Sequence, residues 1–267
     1  MLILLPPSEA KAGSATGSPL DLTRLSLPAL NPARERVLEA LTQLCAQPDE
    51  EHACAVLGLT AGQRGELNRN ARLRQAAAVP AGRLYTGVIY DALDLASLSA
   101  PAGRLAQRSI LVFSGLWGAV RLGDRIPAYR CSIGVKLPGL GGLGGYWRRV
   151  MAGAVVEAAG DAPVLDLRST GYAAMWRPGG ALARRTAVVR VLHERVQGGV
   201  VTRSVVSHFN KATKGRLVRS LLQAGAKPRT LAELVAALRD LKYTVEEHLP
   251  AGDAPLQLDV ITTDQAL

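Results

Sequence analysis

Met1-Leu-Ile-Leu-Leu5 is an unbroken apolar run stopped by Pro6-Pro7 and followed at once by the polar Ser8-Glu9-Ala-Lys11. Ser109-Ile-Leu-Val-Phe-Ser114, closed by Gly115, and Pro163-Val-Leu-Asp-Leu167, closed by Arg168-Ser169, are built the same way. Runs this short, apolar at nearly every position and bounded by turn formers, read as strands buried on both faces, as in a largely parallel sheet. Val200 to Val206 gives another such buried strand, ending in Ser207-His-Phe-Asn-Lys211, and a late strand falls near Leu256 to Ile261. Helical patterns lie between them. Val37, Leu38, Leu41 and Leu44 keep helical spacing behind Asn31-Pro32, a good cap and first turn. Leu217, Val218, Leu221 and Leu222 stripe a basic helix from about Thr213 to Ala224, and a further helix spans about Leu231 to Leu241. Alternating elements of this kind predict an α/β (or α+β) fold. The expected architecture is a single domain over residues 1–267 with a central mixed sheet, peripheral helices and a helical insertion at about 32–78.

Partners are constrained by charge. Of the chain's 267 residues 32 are Lys or Arg and 22 are Asp or Glu, a net charge of +10, with 48% hydrophobic residues to supply a core. The surplus is uneven: residues 101–150 carry 8 basic and 1 acidic group, and residues 201–230 carry 7 and none. Acid-free basic stretches point to phosphate-bearing partners, although a preference for Arg on solvated faces accounts for part of the total. No uncharged apolar run reaches the roughly eighteen residues of a membrane span, and Met1–Leu5 has no basic segment before it as a secretory signal would, so neither membrane nor export is expected. Cys45, Cys54 and Cys131 are an odd number with no CxxC spacing, which fits neither a disulfide framework nor a zinc site. A cytoplasmic protein without metal or cofactor is the expectation.

The residues that could carry chemistry sit just past the apolar runs, where loops of an α/β sheet converge on ligands. Ser8, Glu9, Lys11 and Ser114 are the candidate catalytic groups. Lys11, Arg130, Ser207, Lys211, Lys214, Arg216 and Arg219 are candidate phosphate or carboxylate binders, Lys as a point charge and Arg as a planar fork. Any one of these cations is ordinary as a solvated surface charge; Lys11, Arg130, Lys211 and Lys214 together at strand ends favour a shared pocket. Lys11 buried beside Ser8 and Glu9 could serve as a Schiff-base or general-base lysine. A Ser/His triad is disfavoured: only His208 adjoins a candidate, Ser207, and neighbours on an extended segment face opposite ways. Pro138 to Gly145 is glycine-rich, but with no preceding strand or following acid in the required place it reads as a turn before the helix of Tyr146 and Trp147. Trp117, Tyr129, Tyr146 and Trp147 interleave with arginines in a way that could stack on nucleobases, yet core anchoring is their commoner use.

Met1-Leu-Ile-Leu-Leu-Pro-Pro-Ser-Glu-Ala-Lys11, Leu84-Tyr-Thr-Gly87, Phe113-Ser-Gly-Leu-Trp-Gly118 with Pro127-Ala-Tyr-Arg130, and Val205-Val-Ser-His-Phe-Asn-Lys211 with Lys214-Gly215 together resemble the YaaA family of peroxide stress proteins, in order along most of the chain. The resemblance implies a single α/β domain of unusual topology with a helix-hairpin-helix element, a cytoplasmic location, binding of duplex and junction DNA, and protection of DNA during hydrogen peroxide stress. The best hairpin candidate here is Leu57-Gly58-Leu59-Thr60-Ala61-Gly62, flanked by Arg64, Arg69, Arg72 and Arg74. Its glycines would expose backbone N–H groups to phosphate, or merely cap a helix between two core helices. Two functions remain open: a DNA-binding protein of the oxidative stress response, and an enzyme acting on a phosphorylated or nucleotide-like small molecule at the strand ends.

Overall fold

The structure, a computed structural model, describes residues 1–13, 16–197, 200–250 and 252–263, with the backbone alone at 196, 197, 207 and 208. Eight strands form one mixed sheet: β1 (Leu2–Leu5), β2 (Ile110–Ser114), β3 (Gly118–Arg121), β4 (Val164–Asp166), β5 (Thr186–Gln197), β6 (Val200–Ser204), β7 (Thr244–His248) and β8 (Leu256–Thr263). Their order is β7-β8-β5-β4-β1-β2-β3, with β6 folded back on β5. The five strands from β8 to β2 are parallel, and β7, β3 and β6 are antiparallel to their neighbours. β1 pairs with β2 on one side, Leu4 opposite Leu111, and with β4 on the other, Leu4 opposite Asp166. The chain therefore leaves β1 for one side of the sheet and later returns to the other, and a switch of this kind opens a crevice at the strands' carboxyl ends.

Helices account for why the apolar runs need no alternation. β1, β2 and β4 are buried at every position. The covering helices are α1 (Asn31–Ala46), α2 (Glu50–Leu57), α3 (Gly65–Ala71), α4 (Val88–Leu93), α5 (Ala100–Ser109), α6 (Leu143–Arg148), α7 (Met151–Ala159), α8 (Ser207–Gln223) and α9 (Leu231–Asp240). No helix among the described residues is long and apolar enough to cross a membrane. α1 buries Val37, Leu38, Leu41 and Leu44 together with a guanidinium, Arg34. That group donates to Trp117 O (3.0 Å), Ala119 O (2.7 Å) and Asn31 Oδ1 (2.7 Å), tying the helix to the β2–β3 turn. In the same turn Gly118 has φ +70°, and a Cβ there would meet the Trp147 ring at 2.7 Å, so only glycine fits.

Two sequence expectations are corrected. Val200–Ser204 is a strand, but every residue of it is exposed, because among the described residues β5 is its one strand partner. β-branched runs mark extended backbone whether or not a neighbour covers them. Ser207 to Lys211 then lies in the first turns of α8 and not in a loop. The twelve-residue β5, absent from the expected strands, is the longest in the sheet.

α8 crosses α4 at backbone contact. A Cβ on Gly215 would stand 2.3 Å from Ile89 O and 2.8 Å from Ala92 Cβ. Neither is the flexible end of a side chain, so Gly215→Ala must part the two helices. We expect a loss of about 1–3 kcal/mol, the range typical of overpacking, as a lower denaturant midpoint with unchanged slope.

Candidate functional site at the carboxyl end of the sheet

The loop after β1 is held from beneath by residues 84–90. Pro6 O accepts from Tyr90 Oη (2.7 Å), Ser8 Oγ accepts from Thr86 N (3.1 Å) and donates to Ala10 O (2.5 Å), and Ala12 N donates to Leu84 O (2.8 Å). So anchored, the loop turns Lys11 back across its own mouth. Lys11 Nζ donates to Ser8 O (2.8 Å) and Glu9 O (3.4 Å), and lies 4.2 Å from the Tyr129 ring centroid and 5.7 Å from that of Tyr85. Below the ammonium runs a buried hydroxyl chain, Tyr85 Oη to Tyr129 Oη (3.0 Å) to Ser114 Oγ (2.6 Å). Ser114 Oγ also accepts from Leu116 N and Trp117 N, and its role is to shape the β2–β3 turn.

Among the described residues no carboxylate lies within ion-pair distance of Lys11. The nearest acid in sequence, Glu9, stands 3.4 Å from Arg130 Nε instead. Burial pushes the Lys11 ammonium down to about 8; Glu9 pulls it back up and Arg130 presses it further down. Glu66 of α3 also acts on Lys11, which places the helical segment against the same site. Asn70, fully buried on α3, clasps the Arg130 peptide with both halves of its amide, Nδ2 to Arg130 O (2.8 Å) and Oδ1 from Arg130 N (2.9 Å). The Cys131 thiol beside it is pushed up to about 12 by burial. Tyr85 stands in a quoted motif, but nothing local in the sequence marks Asn70 as a member of the site.

The structure thus gathers Ser8, Glu9, Lys11, Ser114 and Arg130. The α8 candidates make other contacts. Lys214 is buried, donates to Leu167 O (3.1 Å) at the end of β4, and is acted on by Asp166, with burial lowering its pKa. Arg219 is spent on the carboxyl end of α4, on Leu93 O, Asp94 O and Ser97 Oγ. Lys211 and Arg216 are exposed, and the Ser207 side chain lies outside the described residues. Arg168, also at a strand end, is buried against Asp166 (2.6 Å) and stacked 4.2 Å from Phe113, a structural weld. The largest cavity described, about 1130 Å³, opens beside α5 and shares Tyr85 with the Lys11 cluster, but neither Lys11, Glu9 nor Arg130 lines it.

Leu57, Gly58, Leu59 and Gly62 do form the turn between α2 and α3. Gly58, at φ +64°, caps α2 while Leu59 N returns to Cys54 O (2.9 Å), and Thr60 with Gln63 makes a capping box for the next turn. Leu57 is buried, whereas a Cβ on Gly62 would meet open space. Arg64, Arg69 and Arg74 pair with Glu50, Glu66 and Glu35 or Glu39, which leaves Arg72 as the unpaired arginine of that group among the described residues.

At the opposite, amino end of the sheet the two acid-poor stretches meet. Arg104 and Arg108 of α5 and Lys227 after α8 line a groove of about 250 Å³, and Met1, Arg108 and Lys227 line an adjoining one of about 390 Å³. Among the described residues no carboxylate lines either groove.

Residues 1–249 match the family model for the peroxide stress protein YaaA. The chain is 63% identical over 262 residues to UPF0246 protein SCO2297 of Streptomyces coelicolor, covering 98% of each chain. It is 40% identical over 250 residues to UPF0246 protein CE1889 of Corynebacterium efficiens, 92% of this chain and 95% of that one. A UPF0246 protein of Corynebacterium glutamicum is 36% identical over 252 residues, 93% and 96% of the two chains.

Because the folded pKa of Lys11 lies below its unfolded value, the unfolded chain holds more protons between pH 8 and 10.5, and this group's penalty on folding is full below pH 8 and gone above 10.5. The stability of wild type relative to Lys11→Met should therefore rise across that window. Chemical denaturation of both at pH 7, 9 and 10.5 measures it, and a constant difference would refute the depressed pKa.

Proposed function

The chain belongs to the family of the peroxide stress protein YaaA, and on that premise we propose that it acts in the response to hydrogen peroxide by binding duplex or junction DNA through phosphate contacts. What supports this reading best is the meeting of the two basic stretches at the amino end of the sheet, where Arg104, Arg108 and Lys227 share a groove without an acid. All three are exposed, so they keep their hydration and can meet a phosphate backbone without a desolvation cost. Lys211, Arg216 and Arg229 extend the supply of exposed cations, none with a carboxylate on its side chain among the described residues. By contrast the cavity beside α5 carries Arg83 and Arg125 but also Asp91 and Asp94, a mixture that suits a polyanion less well.

Binding of this kind releases counterions. Log affinity for duplex DNA should fall by about 0.9 per neutralised phosphate for each decade of salt. Charge reversal of Arg104, Arg108 and Lys227 together should weaken binding roughly tenfold or more and flatten that slope by about three contacts. A slope near zero in the wild type, or one unchanged by the reversal, would overturn the reading.

The turn between α2 and α3 gives an independent check. Gly62 has a free Cβ position, whereas Gly58 is held at positive φ, so Gly62→Asp adds a charge without the strain that Gly58→Asp would bring. If the hairpin touches phosphate, Gly62→Asp should reduce duplex affinity by a few-fold with the circular dichroism spectrum unchanged; equal affinity assigns the turn to packing alone.

A further inference from the structure

The two hydroxyls nearest Lys11 in the loops are locked. Ser8 Oγ is held between Ala10 O and Thr86 N, and Ser114 Oγ between Tyr129 and two backbone amides. Lys11 is different. Its Nζ touches carbonyl oxygens of its own loop and the faces of two tyrosines, keeps part of its surface open, and has no carboxylate at ion-pair distance among the described residues. At the mouth above it Glu9 and Arg130 form an ion pair at 3.4 Å whose side chains are 49% and 25% exposed, so it can open to a ligand at little cost.

We propose that Lys11 is the nucleophile of a site for a small carbonyl compound that carries a carboxylate or phosphate group, with Arg130 holding the anion and Glu9 moving protons. The neutral amine adds to the carbonyl carbon, forming the C–N bond as the carbonyl π pair becomes an alkoxide. Glu9 relays protons from nitrogen to oxygen, the C–O bond breaks, and water leaves with both former N–H protons. The product is an imine at Nζ, with no oxidant or reductant consumed. A site made only to hold an anion would favour a solvated, paired ammonium; here burial brings the neutral amine within reach near pH 8, where exposed lysines remain protonated. Arg130 supplies what the carbonyl itself does not, a planar fork for the oxyanion once Glu9 turns aside. The inference does not depend on DNA binding, since Lys11 lies at the other end of the sheet from the Arg104–Lys227 groove.

The test uses the full chain, glyoxylate as the anionic probe, acetaldehyde as the neutral one, and borohydride to reduce any imine to a stable amine, followed by peptide mapping. At pH 8 glyoxylate should label Lys11 roughly tenfold more than the exposed Lys136 and Lys242. Acetaldehyde should label Lys11 less than glyoxylate does, and Arg130→Gln should remove that difference. Equal labelling of Lys11 and the exposed lysines in the wild type would overturn the nucleophile assignment without recourse to any variant. Equal labelling by the two probes would overturn the anionic substrate class.

Discussion

Strands covered on both faces leave a polar side chain nowhere to go but their ends. In β1 every residue is buried and the hydrogen-bonding edges are taken by β2 and β4, so the first polar side chain after it, Ser8, comes only past Pro6-Pro7. The same condition fixes Ser114 at the end of β2 and Asp166 with Arg168 at the end of β4. Because these strands are parallel, all three ends lie on one side of the sheet, and the crossover about β1 sets their loops apart enough for the 129–131 segment to enter. The gathering of Lys11, Glu9, Tyr129 and Arg130 follows from that geometry.

Burial separates the chemistry of the two ends of the sheet. At the amino end Arg104, Arg108 and Lys227 stand in water, where charge acts at a distance and is screened by salt. At the carboxyl end the Lys11 ammonium sits on aromatic rings beneath backbone carbonyls, where its charge is costly and its proton easily lost. Net charge counts the two alike, though their surroundings make them chemically different: one solvated, the other desolvated.

The legible part of the sequence was the part where one local pattern had one physical cause. Short apolar runs without alternation marked β1, β2 and β4, and 3.6-residue spacing marked α1 and α9 within a residue or two. β5 escaped because it serves two environments: Ala187, Val189 and Val191 are buried while Arg190 reaches out to Asp259, which dilutes the apolar signal. Val200 and Val201 erred the other way, their β-branched side chains looking buried although each is more than half exposed. In the site, Ser8, Glu9, Lys11 and Arg130 were found from loops after apolar runs and from motif resemblance. Asn70 was not, since its meaning is a contact with a peptide sixty residues away, and nothing in an Asn-Arg-Asn-Ala helix announces it.

That contact bears on how peroxide could enter the picture. Asn70 joins α3 to the Arg130 peptide, also takes a hydrogen bond with Cys45, and stands next to Cys131, so thiols adjoin the loop that presents Arg130 to the site. Peroxide reacts with the thiolate, not the thiol. Burial pushes Cys45 up to about 11 and Cys131 up to about 12, which leaves almost no thiolate at neutral pH, and both side chains are shielded from solvent. In the folded protein these two thiols therefore act as packing groups around the Asn70 clasp. Burial thus shields these two sulfurs from oxidation in the folded protein, and the clasp they surround keeps its packing.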